Sequence, residues 1–255
     1  MTSVILLLFF SLAAPANPHI INGEVVRGIS DPVAKSTVRI YGKIARASFT
    51  CTGVLIAQDV VLSAGHCLGP GWAKIEIFFA DGRGPIALKE QLRPDNYTPR
   101  APAGTSWNDI ALLKLAQPAP PDFIPAPIAG PNELAAEQNL LLAGYGQIKI
   151  SPETTEGLGT LRKISQKLLN PNLNENEFLV SLVGGGACFG DSGGPAFIQT
   201  PSGLKLAGVA SRLTENDIDP KNPKIYLCTK EMIYSSATKQ MQWINQQFAQ
   251  PSNRK

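Results

Sequence analysis

Three short peptides carry the residue types that nucleophilic acyl transfer requires. Ser192 lies in the peptide GDSGGP, Asp109 in NDIALL and His66 in SAGHC. The chain has two histidines, and His19 adjoins an N-terminal segment that resembles a removable leader. His66 is therefore the imidazole left to a mature chain, and an imidazole titrates at about pH 6.5, where it can accept the serine proton and return it. Serine, base and carboxylate together predict a hydrolase.

In the order His, Asp, Ser, these peptides resemble those of the trypsin/chymotrypsin family of serine endopeptidases. The likeness runs from the segment IING at Ile20 to about Phe248. The same order argues against an α/β-hydrolase, in which the serine comes first, and a non-peptidase esterase fails on that ground too. The resemblance predicts a serine-type endopeptidase that works through an acyl-enzyme.

The resemblance also assigns roles to individual positions. It makes His66, Asp109 and Ser192 the catalytic triad, with the backbone amides of Gly190 and Ser192 as the oxyanion hole. Ser211 matches the family serine that contacts the catalytic aspartate and starts the strand that pairs with substrate. A helix or turn cap is the alternative role for Asp109, and the apolar run that follows it disfavours that alternative.

Short apolar stretches, several with period two, are separated by Gly, Pro and Asn along the chain, which indicates β-strands. Such stretches lie at residues 49–55, 75–79, 140–144 and 206–210, and Val60–Leu62 is typical of a buried strand. Many strands at this spacing predict barrels or a sandwich, so the fold class is all-β.

One proline-rich segment, Ala116–Pro127, divides the chain into halves, because its five prolines cannot sustain a central strand. By the resemblance, each half is a six-stranded antiparallel β-barrel, residues 20–121 and residues 122–255. The active site is then expected in the cleft between them, with His66 and Asp109 on the first barrel and the serine on the second.

The last part of the chain shows helical rather than strand spacing. After Ser235 and Ser236, apolar residues recur at Ala237, Met241, Ile244 and Phe248. This pattern predicts a C-terminal α-helix that the two serines cap and that packs on the second barrel. We attach no activity to it.

Residues 1–16 have the features of a secretory signal peptide. The run Val4–Ala14 is almost wholly apolar, and Ala14 and Ala16 are small residues at the positions that a signal peptidase requires. A membrane anchor is the alternative, but this run is shorter than the ~20 residues that span a bilayer. We expect a secreted protein, extracellular or periplasmic, with no membrane span and with residues 17–19 as a short pro-segment.

Composition excludes some classes of partner. The chain has 255 residues, 44% of them hydrophobic and 17% charged, which is typical of a globular protein. The net charge is +3 and the basic residues are scattered, so no nucleic-acid partner is expected. The resemblance implies protein or peptide substrates, leaves room for protein inhibitors, and is consistent with a monomer.

The four cysteines are expected to form disulfides in an exported protein, and spacing alone allows three pairings. The resemblance selects Cys51–Cys67 and Cys188–Cys228. A zinc site is the rival hypothesis, but the chain has no Cys-x-x-Cys motif and its mature histidine already has a role. The loop between His66 and the aspartate lacks the paired glutamates of calcium-binding members. We expect no metal and no cofactor.

Asp191, beside the nucleophile, needs a partner if it is buried. In the family this partner is the α-ammonium group that proteolysis creates before the IING segment, here at Ile20. Trypsin-like activation requires Lys or Arg before the cut, whereas His19 stands there. Activation by a tryptic specificity is therefore not expected.

The resemblance places Gly186, six residues before the serine, at the floor of the primary specificity pocket, where trypsin-like members have an aspartate. Leu213 and Met232 align with the pocket walls. Such a pocket favours small or medium apolar residues before the scissile bond. Arg212 replaces the usual tryptophan and adds a cation near the outer subsites, the alternative being a solvated surface arginine.

The alternative function is that of a catalytically silent family member acting as a binding protein. Silent members generally lose a triad residue, and all three are present here. The crowded pocket and the unusual activation site keep that alternative open.

Overall fold

Short antiparallel strands make up most of the regular structure. The computed structural model describes residues 20–44, 47–69, 74–102, 104–148 and 156–249, so the predicted leader and pro-segment lie outside the described residues. The strands are β1 (Glu24–Val25), β2 (Thr37–Ile44), β3 (Ala47–Ala57), β4 (Val60–Ser63), β5 (Lys74–Phe78), β6 (Ile86–Leu92), β7 (Ala111–Leu115), β8 (Asn139–Gly144), β9 (Arg162–Asn170), β10 (Glu177–Ser181), β11 (Pro195–Thr200), β12 (Gly203–Leu213), β13 (Ile218–Asp219), β14 (Asn222–Tyr226) and β15 (Glu231–Ser236). The helices are α1 (Pro32–Ser36) and α2 (Met241–Ala249), with 3₁₀ turns at Gly65–Cys67 and Glu215–Asp217.

The first half of the chain forms a closed antiparallel barrel with strand order β2-β3-β4-β7-β6-β5, in which β5 pairs back to β2. Alternate side chains turn inward along β5, where Ile75 and Ile77 are buried and Lys74 is exposed. The barrel core includes Val38, Ile40, Leu55, Val61, Leu113 and Leu115. The period-two pattern of the sequence is thus the pattern of a half-buried strand.

The second half forms another closed antiparallel barrel. Its strands follow the order β9-β10-β15-β12-β11-β8, and β8 pairs with β9 to close the ring, while β1 adds to the outside of β9. Phe178 and Tyr234 stack in its core with ring centroids 5.5 Å apart. The all-β class with two six-stranded barrels is confirmed.

A third apolar cluster joins the two barrels. It brings together buried residues of the first barrel, such as Leu62 and Leu112, with Phe197 and Val209 of the second. Each Å² of apolar surface that is buried contributes about 25 cal/mol of stability, so this junction holds the two barrels together at the base of the cleft.

The proline-rich segment between the barrels is packed rather than free. Phe123 is buried in the core of the first barrel, with its ring centroid 4.6 Å from that of Phe79. The amide of Ala126 donates to the carbonyl of Leu55 in the first barrel. The domain division proposed between residues 121 and 122 falls inside this packed segment and stays a prediction.

The C-terminal helix begins later than its predicted start. Ser235 and Ser236 belong to strand β15, and α2 begins at Met241. Of the two serines, Ser236 makes a cap-like contact, because its hydroxyl accepts the amide of Lys239 at 3.2 Å in the turn before α2. Ser235 instead pairs with Glu177 across the sheet, so for this serine the capping prediction was wrong. Ile244 is fully buried, whereas Phe248 is 46% exposed, so the apolar stripe packs only in part. Among the described residues, no helix is long and apolar enough to cross a membrane.

Candidate active site

His66 and Asp109 come together because of strand pairing in the first barrel. β4 and β7 are antiparallel neighbours with Ser63 opposite Ala111. The turn that carries the histidine follows β4, and the aspartate precedes β7, so both lie at the same end of the pair. His66 Nδ1 lies 2.8 Å from Asp109 Oδ2, and the backbone amide of His66 donates to Asp109 Oδ1 at 2.8 Å.

The second barrel completes the surroundings of this carboxylate. Ser211 Oγ, on β12, donates to Asp109 Oδ2 at 2.7 Å, and the carboxylate is completely buried. Burial raises the pKa of Asp109, but the charge and hydrogen bonds of His66, with the bond from Ser211, hold it below its usual value. Burial lowers the pKa of His66, and the negative charge and hydrogen bond of Asp109 outweigh it, so the net shift is upward. The arrangement stabilises the imidazolium form of His66, and in the neutral form it keeps the proton on Nδ1, so that Nε2 can act as a base.

Ser192 faces the same cleft as His66. Both residues line a cavity of about 760 Å³ between the barrels, together with Trp107, Ser211, Arg212, Leu213 and Met232. Among the described residues, no hydrogen bond joins Ser192 Oγ to His66; in structures without substrate such contacts are often loose. The cleft thus brings together Ser192 and His66, and Asp109 lies buried against the imidazole of His66.

The two backbone amides assigned to the oxyanion hole are those of Gly190 and Ser192. Among the described residues, neither N–H donates a hydrogen bond to a protein acceptor. Gly190 has a φ of +92°, a conformation that favours glycine. Free donors beside a serine nucleophile can stabilise a developing oxyanion.

Thr52 is a residue of this site that sequence reasoning missed. It is completely buried on β3 of the first barrel. Its N–H donates to the carbonyl of Ser192 at 2.8 Å, and its hydroxyl donates to the carbonyl of Gly190 at 3.1 Å. The hydroxyl also accepts from the amide of Tyr145 at 3.0 Å. Thr52 therefore holds the nucleophile loop on both sides of Asp191, and only its position next to Cys51 would have drawn attention to it.

Asp191 and Ile20 are the two residues assigned to activation. Both are buried, with 0% and 1% of their surface exposed. The Asp191 carboxylate accepts the amides of Gly146 at 2.7 Å and Cys188 at 2.8 Å. In this uncut chain the nitrogen of Ile20 belongs to a peptide bond. Burial raises the pKa of Asp191 to about 7, although the two amides and the charge of Arg162 act in the opposite direction.

The residues assigned to the specificity pocket fall in two places. Leu213 and Met232 line the cleft and are directly paired across β12 and β15. Gly186, although it is a described residue, is not one of those that line the cleft. Its amide donates to the carbonyl of Ile21, and a side chain added to it would meet Leu182 at 2.3 Å. Apolar bulk therefore lies against the position expected at the pocket floor.

Arg212 lines the cleft as a cation that is paired with a carboxylate. Its guanidinium binds both carboxylate oxygens of Glu177, at 2.7 and 2.9 Å, and lies 4.3 Å from the centroid of the Trp107 ring. The alternative of a solvated surface arginine does not describe this geometry, and a cation near the outer subsites stays a prediction. The sequence does not reveal this pairing, because Glu177 is 35 residues away and becomes a neighbour of Arg212 only when the barrel closes.

Two disulfides, Cys51–Cys67 and Cys188–Cys228, join the pairs that the resemblance selected. The first lies beside His66, and the second connects the serine loop to the wall of the cleft. His66 and the sulfur atoms of Cys51 and Cys67 lie within 4.8 Å of one another, but both thiols are used in the disulfide and cannot bind zinc as thiolates.

Comparison with known proteins places these observations in a family. The family model described as Trypsin matches residues 20–234. A trypsin of Phaedon cochleariae is 30% identical over 215 residues, covering 77% of this chain and 78% of that protein. The vitamin K-dependent protein C of Rattus norvegicus is also 30% identical, over 76% of this chain, which spans only 46% of that protein. The solved structure of HL collagenase shares the fold, with a TM-score of 0.71 at 21% identity, over 91% of this chain and 99% of that one.

Proposed function

Because this chain belongs to the trypsin family of serine proteases, we propose that it is a secreted serine endopeptidase that hydrolyses peptide bonds through an acyl-enzyme. The contact that supports this most strongly is made by the Asp109 carboxylate. It binds His66 Nδ1 and Ser211 Oγ in the cleft that Ser192 also lines. A buried carboxylate, an imidazole and a serine in one cleft suit acyl transfer.

In the proposed reaction, Ser192 Oγ attacks the carbonyl carbon of the scissile bond while His66 Nε2 accepts the hydroxyl proton. The resulting imidazolium is stabilised by Asp109, which stays ionised. When the tetrahedral intermediate collapses, the C–N bond breaks and His66 returns the proton to the leaving amine. Water then attacks the acyl-enzyme, His66 again takes and returns the proton, and the carboxylic acid product and free serine are regenerated.

The carbonyl oxygen becomes negative during each attack. We assign its stabilisation to the amides of Gly190 and Ser192, which have no protein acceptor among the described residues. A donor aimed at a developing oxyanion contributes about 3 kcal/mol to barrier lowering. The loop that carries both donors is held by Thr52, so their positions are set before substrate arrives.

Activation is proposed to occur by cleavage before Ile20, whose new α-ammonium group would pair with Asp191. Two observations support this role: Ile20 and Asp191 are both buried, and the carboxylate of Asp191 has a pKa raised to about 7. An ionised partner would restore the charged form, since an opposite charge at hydrogen-bond distance lowers the pKa of an acid.

The proposed preference is for small or medium apolar residues before the scissile bond. Leu213 and Met232 narrow the cleft, and Leu182 lies against Gly186 where trypsin-like members carry an acid. A Lys or Arg side chain would have to bury its charge there without a partner, which costs several kcal/mol. Secretion is proposed from the apolar N-terminal segment and is supported by the two disulfides.

The proposal is tested with a fluorophosphonate probe, which labels an activated serine and requires little side-chain recognition. The protein beginning at Ile20 should be labelled and should cleave a peptide library, and the matched Ser192→Ala variant should do neither. Absence of labelling in the correctly processed protein would instead support the catalytically silent alternative. Labelling together with preferred cleavage after Lys or Arg would overturn the assigned pocket but not the proposed reaction.

A further inference from the structure

The wall of the cleft between the triad and the outer subsites contains an ion pair that the proposed reaction does not use. Arg212 Nη1 lies 2.7 Å from Glu177 Oε1, and Nη2 lies 2.9 Å from Oε2. The glutamate side chain is fully buried, whereas 17% of the arginine side chain is exposed. A bidentate contact of this kind fixes the guanidinium plane as well as its charge.

The remaining acceptor capacity of Glu177 is also used. Its Oε1 accepts the backbone amide of Trp107 at 3.0 Å, and its Oε2 accepts Asn174 Nδ2 at 2.6 Å. Trp107 belongs to the first barrel, and its ring lies 4.3 Å from Arg212 Cζ. A cation over an aromatic face is stabilised by the ring as well. Glu177 thus binds an arginine, a loop amide of the other barrel and a side-chain amide in one place.

This arrangement determines which charges the cleft presents. The charged or titratable residues among those that line it are His66, Arg212, Glu215 and Tyr226, and the phenol of Tyr226 is uncharged at neutral pH. The charge of Arg212 is balanced by Glu177, whereas Glu215 is exposed at the rim. Apart from the imidazole, the lining therefore presents to a substrate the charge-balanced surface of Arg212 and Trp107 and the single carboxylate of Glu215.

We propose that Glu177 determines the charge selectivity of this cleft, by neutralising Arg212 so that the surface beside the triad accepts uncharged side chains and disfavours acidic ones. The inference rests on the proposed peptidase function. Arg212 lies on the strand segment that follows Ser211, so the affected substrate side chains are those upstream of the residue at the scissile bond. Removal of the single carboxylate of Glu177 should convert the surface into a site for acidic side chains.

The test compares two peptides that differ only by Glu or Gln at one upstream position, two to four residues before the scissile bond. In the parent protein the ratio of kcat/KM for the Glu peptide to that for the Gln peptide should lie below one. Glu177→Gln keeps the size of the side chain and exposes the charge of Arg212, and the ratio should rise about tenfold at low salt. The gain should shrink as salt is raised, because Arg212 is partly exposed.

The matched control is Glu175→Gln, which makes the same charge change two residues away at an exposed position. Its ratio should stay within about twofold of the parent. The double variant Glu177→Gln/Arg212→Met removes both charges and should also return to the parent ratio. A parent that already prefers the Glu peptide, or a Glu177→Gln variant with an unchanged ratio, would overturn the proposal.

The same measurements distinguish a role of the Glu177–Arg212 pair in selectivity from a merely structural role. If Glu177→Gln does not fold, Arg212→Met leaves the carboxylate without its cation, and the ratio should fall below the parent value; an unchanged ratio in that variant also counts against the proposal. Fluorophosphonate labelling of each variant separates the two hypotheses. An unlabelled parent means that the peptidase function itself is wrong, while labelled variants with identical ratios mean that only the role of Glu177 is wrong.

Discussion

Asp109 and Asp191 are both completely buried next to the cleft, yet burial has opposite outcomes for them. Around Asp109, the imidazole of His66 and the hydroxyl of Ser211 hold the pKa of the carboxyl below its usual value. Around Asp191, two backbone amides and the charge of Arg162 do not offset desolvation, and its pKa is raised to about 7. The two carboxylates differ in whether a cationic partner lies within hydrogen-bond distance.

This difference shows that desolvation alone does not decide the charge of a buried acid. Asp109 has its partner built into the strand pairing of the first barrel, so its charge is available whenever the protein is folded. For Asp191, we propose that a cut before Ile20 supplies the cationic partner. The first carboxylate is thus suited to the reaction itself, and the second to control of whether the reaction can occur.

The largest expected effect comes from breaking the built-in pair. Asp109→Asn keeps the shape of the side chain but presents a donor to His66 Nδ1 and favours the wrong tautomer. We expect kcat to fall by about 10⁴-fold, the loss that this change causes in the triad of this protease family, with the melting temperature nearly unchanged. Steady-state kinetics of the processed protein provides the measurement. A loss of less than tenfold would mean that His66 does not depend on Asp109.

The next effect tests the pair that must be generated. The protein that begins at Ile20 should be about a hundredfold more active than one that retains Asn17, Pro18 and His19, because an unpaired buried carboxylate costs about 3 kcal/mol of the competent state. Asp191→Asn should remove most of this difference. The two forms, prepared with defined N-termini, are compared by kcat/KM on one apolar peptide. Equal activities would contradict the proposed activation.

A smaller effect is expected at Thr52, which ties the loop around Asp191 to the first barrel. Thr52→Val removes the hydroxyl without changing the volume and leaves the carbonyl of Gly190 and the amide of Tyr145 without this partner. We expect kcat to fall about tenfold with little change in KM, since one buried hydrogen bond to the loop is lost. Thr52→Ser retains the hydroxyl and should recover most of the rate. If valine and serine variants behave alike, the hydroxyl does not position the loop.

The smallest effect is on stability as a function of pH. The pKa of Asp191 is raised on folding, so its contribution to stability is present below pH 3.8 and is lost as pH rises toward about 7. The pKa of Asp109 is lowered, so its contribution is present above pH 3.8 and is lost as pH falls below that value. In an uncut Ser192→Ala background, Asp191→Asn should reduce the change in melting temperature between pH 5 and pH 7.5 by about 5 °C. If the melting temperature of the Asp191→Asn variant changes with pH as much as that of the parent, the pH dependence comes from other groups.

The candidate site residues that the structure brings close together are those defined by a local motif. Ser192, His66 and Asp109 each lie in a recognisable peptide; Ser192 and His66 line one cleft, and Asp109 binds the imidazole from behind. Period-two apolar positions likewise predicted strands, because alternation is a local consequence of the strand geometry.

The features that sequence missed depend on contacts between distant segments. Arg212 was expected to contribute a cation, and only the closure of the second barrel brings Glu177 to it. Thr52 lies 138 residues from the Gly190 carbonyl that it binds. The helix start was misplaced because Ser235 and Ser236 pair in β15, a tertiary preference that no cap signal reveals.

The position of the two disulfides has a consequence for the integrity of the whole molecule. Each disulfide closes within its own half of the chain, one in the first barrel and one in the second, and no cysteine is left free to join the halves. The segment Ala116–Pro127 is thus the sole covalent connection between the barrels. A single nick there, for example beside the exposed Asp122, would leave a two-chain particle that denaturant separates without any reductant. Its recovery on refolding would then depend on protein concentration, as it does for a heterodimer.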